Sequence, residues 1–66
     1  MTPIYAIGNL GFKQCAMRAD GRWFERHRVV RMGRRSWSRW EPIIGGERPA
    51  HAWYDPAAGF ARLPKD

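Results

Sequence analysis

Apolar and aromatic residues fall in short clusters along the chain. Turn signals separate them at short intervals: Gly8-Asn9, Asp20-Gly21, Met32-Gly33, Gly45-Gly46 and Asp55-Pro56-Ala57-Ala58-Gly59. Turns at this spacing, with β-branched and aromatic residues between them, predict an antiparallel meander of about five to six short strands. The expected strands lie near 3–7, 12–18, 22–31, 35–41, 48–54 and 60–63, in a small all-β or β-rich α+β domain. Asp20-Gly21 is the strongest hairpin signal, because Asp-Gly tolerates the positive φ angles of tight hairpin turns, and Gly45-Gly46 is a second. Pro42 and Pro49 flank the second turn; proline donates nothing to a ladder, so those strands should be short or lie on an edge.

Two segments read in two ways. Asp20 could cap a helix ending at Gly33, with Trp23, Phe24, His27 and Val30 on one face. Trp, Phe, His and paired Val are poor helix formers, and the alternation favours a strand. Asp55-Pro56-Ala57-Ala58 carries a cap and a first-position proline, which predicts a short C-terminal helix ended by Pro64.

As a strand, Arg34-Arg35-Ser36-Trp37-Ser38-Arg39-Trp40 places Arg35, Trp37 and Arg39 on one face and Ser36, Ser38 and Trp40 on the other. A tryptophan between two arginines suits base stacking, worth about 1–3 kcal/mol per base, with guanidiniums on phosphates. Alternatively, Trp37 packs inward under the arginine stems. Upstream, Arg22, Phe24, Arg26 and Arg28 should share a face, with Trp23, Glu25 and His27 opposite. Together the two arginine rows predict one basic sheet face.

Length and charge sharpen this picture. With 66 residues the chain supports one domain, 1–66, and a thin core. Nine aromatic rings give it much to bury, and disorder is not expected outside the ends. The net charge is +6, and the segment 18–39 accounts for all of it, with eight arginines against Asp20 and Glu25. Clustered charge of this kind marks a surface that meets phosphates or carboxylates. The candidate binding residues are Arg22, Arg26, Arg28, Arg31, Arg34, Arg35, Trp37 and Arg39.

Other chemistry finds little support. Cys15 is the only cysteine, so no disulfide forms within the chain. It reads as a small buried apolar residue. His27 and His51 match no zinc spacing with it, and are expected to make hydrogen bonds in or near the core. No nucleophile–base or paired-carboxylate arrangement stands out, so neither an enzyme nor a cofactor is expected. No stretch approaches the roughly 18 apolar residues of a membrane span, and Met1-Thr2-Pro3-Ile4-Tyr5 lacks the basic and long apolar regions expected of a signal peptide. A soluble, cytoplasmic protein without membrane partners is therefore expected.

Three functions fit. The first is a non-enzymatic nucleic-acid-binding module, with single strands or RNA preferred because aromatics interleave the arginines. The second is a small inhibitor or adaptor, of the kind phages and mobile elements carry, that docks on an acidic surface of a nucleic-acid-handling or host-defence complex. The third is a structural subunit of a ribonucleoprotein or virion. An exposed strand edge also allows a homodimer.

Overall fold

In the computed structural model, which describes residues 1–65, the chain forms eight strands: β1 (Thr2–Pro3), β2 (Tyr5–Ile7), β3 (Lys13–Met17), β4 (Trp23–Arg31), β5 (Arg34–Trp37), β6 (Glu41–Pro42), β7 (Ala52–Tyr54) and β8 (Phe60–Ala61). The main antiparallel sheet runs β5-β4-β3-β2-β7, with β6 also on β4. A two-stranded sheet, β1 with β8, closes over it. All six expected strands are present, and two are divided. The first breaks at Ile4, whose N–H donates to the Gly59 carbonyl (3.2 Å). The fourth breaks into β5 and β6.

Segment 20–33 is strand, not helix. Its hairpin partner is β3, with Met17 opposite Trp23 and Lys13 opposite His27. The connecting turn closes through Gly21 N–H on the Arg18 carbonyl (2.9 Å), with Gly21 at φ 89°. The Asp20 carboxylate pairs with Arg18 (2.6 Å) and accepts from the Arg22 N–H (3.1 Å). These two bonds, Arg18 first, lower its pKa from 3.8 to about 2. Any stability this fully exposed group contributes is present above its unfolded pKa and is lost as pH falls towards about 2.

Gly45-Gly46 forms a turn but not a hairpin. Ile43 N–H donates to the Trp23 carbonyl and Trp23 N–H to the Gly46 carbonyl, so the turn folds back on β4 while β6 and β7 pair with different strands. The C-terminal helix is a single 3-10 turn, Pro56–Ala58, capped by the Asp55 carboxylate on Ala57 N–H (3.0 Å). Gly59 at φ 83° ends it, well before Pro64.

The core is thin and built of small residues. Ile4, Ala6, Cys15, Ala16, Phe24, Ala52 and Ala61 are buried. Trp40, Ala58 and Leu63 pack around Ile4, Ala16 and Ala61. Of the nine rings only Phe24 is buried; Phe12, Trp53, Tyr54 and Phe60 are exposed. A sheet this small cannot cover both faces with other elements, so arginine stems cover rings instead. Arg18 lies over Phe24 (4.9 Å) on one face. On the other, Arg48 lies over Tyr5 (4.8 Å) and Trp23 (5.9 Å), and those two rings meet edge-on. Cys15 is fully enclosed, and burial raises its thiol pKa from 9.0 to about 11, as expected of an inert apolar residue. His27 and His51, by contrast, are exposed: His27 stands on an outward position of β4, and His51 lies in the turn before β7.

Met32-Gly33 makes the tightest turn. Arg31 stands opposite Arg34, leaving a two-residue loop with both residues at positive φ, 49° and 77°. This is the turn whose twist matches the hairpin, and asparagine favours its first position. Methionine there is strained, since a left-handed conformation costs an ordinary residue about 1–2 kcal/mol. Met32→Asn should therefore stabilise the protein by about 0.5–1 kcal/mol and raise Tm by several degrees. An unchanged or lower Tm in thermal melts followed by circular dichroism would show that the turn carries no such strain.

Candidate nucleic-acid interface

The candidate residues sit on the β4–β5 hairpin and the segment that follows it. Arg28 opposes Trp37, whereas Glu25 opposes Glu41. Arg26-His27 thus face the three residues Ser38-Arg39-Trp40, which is a β-bulge with one extra residue. Ser38 secures it: its N–H donates to the His27 carbonyl (2.9 Å), and its hydroxyl accepts from the His27 N–H (2.9 Å).

The bulge changes which side chains meet. Strand alternation puts Trp37 and Trp40 on opposite faces, but the extra residue brings both to Arg26. The Arg26 guanidinium lies 4.8 Å from the Trp37 ring and 4.5 Å from the Trp40 ring. Its Nε donates to Gln14 Oε1 (2.9 Å). Arg28 lies 4.3 Å from the Trp37 ring. Trp40, Arg26, Trp37 and Arg28 thus form an alternating chain of rings and cations. Burial, and then the neighbouring Arg28, lower the Arg26 pKa. Trp37 is half-buried, with two guanidiniums against its ring. A base stacking there has to displace or share them.

The arginines therefore divide. Arg26 and Arg28 are committed to rings. Arg18, which the sequence places in the same basic run, holds the turn through Asp20 and donates to the Pro64 carbonyl (3.0 Å). Arg22 is exposed beside the Ile43–Gly46 turn, outside the strand, and does not join the Arg26/Arg28 row. Arg31, Arg34, Arg35 and Arg39 are exposed and have no carboxylate partner among the described residues.

Nor do these four form one face. Arg31 and Arg34 are cross-strand partners and share a face; Val30 and Arg35, the adjacent pair, lie on the other face with Arg28 and Trp37. Arg26, Arg28 and Arg35 thus share one face as alternation predicts, Arg22 lies outside the strand, and Arg31 and Arg34 add charge on the opposite face of the ribbon. Beyond His27, β4 has no β3 partner, so residues 29–36 project as a two-stranded arm.

Nothing in the residue pattern singles out Arg48, whose guanidinium lies against the Tyr5 and Trp23 rings and donates to the Ala52 carbonyl (2.8 Å). Only the pairing of distant strands brings it there. Among the described residues no group of His, Cys, Asp or Glu is arranged to hold a metal, and no helix is long and apolar enough to cross a membrane. No protein-family model, curated protein or solved structure matches the chain.

Proposed function

We propose that this protein is a non-enzymatic nucleic-acid-binding module of the cytoplasm that works through its β4–β5 hairpin. One observation carries the reading: Arg31 and Arg34 stand directly opposite each other with no carboxylate partner among the described residues. Like charges directly opposite in a ladder are destabilising, and a phosphate between them relieves the repulsion. Arg35 and Arg39 extend the supply of free guanidiniums, and no acid interrupts the sequence from Arg26 to Trp40. Binding is expected to weaken steeply with salt, as each neutralised phosphate releases counterions. The free edges of β5 and β7 are where a second copy could pair, and binding through the hairpin does not require it.

Fluorescence anisotropy with short single-stranded and duplex RNA and DNA, at low and near-physiological salt, tests the reading. All four probes belong in the titration, because the expected preference for single strands or RNA rests on aromatic rings among the arginines, and the Trp37 ring already carries two guanidiniums. Arg35→Ala with Arg39→Ala should lower affinity for every sequence while leaving the melting curve intact. The salt slope should fall by about 1.8 on duplex DNA. Unchanged affinity would place the interface elsewhere. Binding confined to low salt would mark the charge as generic, and an acidic protein surface would become the better partner.

A further inference from the structure

The arm has a shape that a flat basic patch lacks. It carries free guanidiniums on both faces, Arg31 and Arg34 on one and Arg35 on the other. Its tip is Met32, an apolar residue wholly exposed and held out by the tight turn. Cations on both sides of a narrow ribbon match a cleft with two anionic walls. An apolar tip matches a floor less charged than the walls. The groove of a nucleic-acid duplex has that form.

Dimensions choose the groove. From Arg28 to Met32 in the turn the ribbon extends about 14 Å, at about 3.4 Å per residue. The major groove of B-DNA is about 12 Å wide and about 8.5 Å deep and admits a two-stranded ribbon; the minor groove is about 6 Å wide. The major groove of A-form RNA is too narrow for side chains to read.

We infer that the arm enters the major groove of duplex DNA tip first. Arg31 and Arg34 face one phosphate backbone, Arg35 faces the other, and Met32 meets the base edges, where the thymine methyl group supplies an apolar contact. This rests on the nucleic-acid reading above and narrows it to one class of ligand.

The test uses the full chain at near-physiological salt, with a short DNA duplex, the RNA duplex of the same sequence and the separate strands. Methyl green blocks the major groove and netropsin the minor. The DNA duplex should bind at least about tenfold tighter than the RNA duplex. Methyl green should compete and netropsin should not. Arg31→Ala with Arg34→Ala should lower the slope of log K against log salt by about 1.8. Met32→Asn, a variant expected to fold at least as well, should weaken DNA binding severalfold and leave that slope unchanged.

Equal affinity for the two duplexes, preference for single strands, or competition by netropsin alone would overturn the inference while leaving nucleic-acid binding standing. The same holds if Met32→Asn binds like the parent. Failure to bind any of the four probes would overturn both readings.

Discussion

Phe24→Ala is expected to abolish cooperative folding. Phe24 is the one buried aromatic ring, 4 % exposed, set between Ala16 and Pro42 across its neighbouring strands and covered by Arg18. Truncating a buried phenylalanine to alanine costs about 3–5 kcal/mol. At about 0.05–0.15 kcal/mol per residue, a chain of this length has roughly 3–10 kcal/mol to lose. The other buried residues are mostly alanines, too short to collapse into the cavity. Phe24→Leu keeps most of the volume and should cost about 1.5 kcal/mol, giving a lower but still cooperative melt. A Phe24→Ala protein that melts cooperatively near the parent temperature would show that the structure is held elsewhere.

Arg26→Ala is expected to cost about 2–3 kcal/mol, an unusual loss for an arginine with no ion pair among the described residues. Its two ring contacts are each worth about 0.5–2 kcal/mol, and the hydrogen bond to Gln14 adds to them. Arg26→Met keeps the stem and removes the charge, so it should recover the packing share alone. A cycle with Trp40→Ala should be non-additive, since both substitutions break the same contact. In DNA titrations these variants should leave the salt slope unchanged, because Arg26 is spent on rings. A slope that falls by about 1 would instead place Arg26 on a phosphate.

These two residues also show what the sequence could and could not say. Strands were legible because each is bounded by Gly, Asp or Pro, residues whose backbone preferences act locally. The faces were legible only while the ladder stayed regular. Phe24, Arg26 and Arg28 share a side as alternation predicts, and Arg35 shares it with Trp37. At Ser38–Trp40 alternation fails, since an extra residue against Arg26-His27 depends on how two strands settle in register. Trp40 was expected opposite Trp37 and lies beside it. Arg31 and Arg34 belong to neither of the two rows that alternation defines, and their pairing across the tight turn puts them together on the opposite face. The exposure of Phe12, Trp53, Tyr54 and Phe60 was illegible for a different reason: aromatic content sets how much could be buried, not how much neighbouring chain exists to cover it.

The bulge also sets a rule for how this chain can change in length. The arm can gain or lose one residue on each strand near its tip, lengthening or shortening the reach of Met32 with Arg26 undisturbed. Loss of a single residue from Ser38–Trp40 has a different result. Without Ser38 or Arg39 the ladder becomes regular, both flanking registers and the shared face of Trp37 and Trp40 are kept, and what is lost is the bend and twist of the bulge, which set the angle at which the arm leaves the sheet. Descendants of this sequence should therefore change the arm's length only by matched residues on its two strands and hold fixed the bulge that sets its angle.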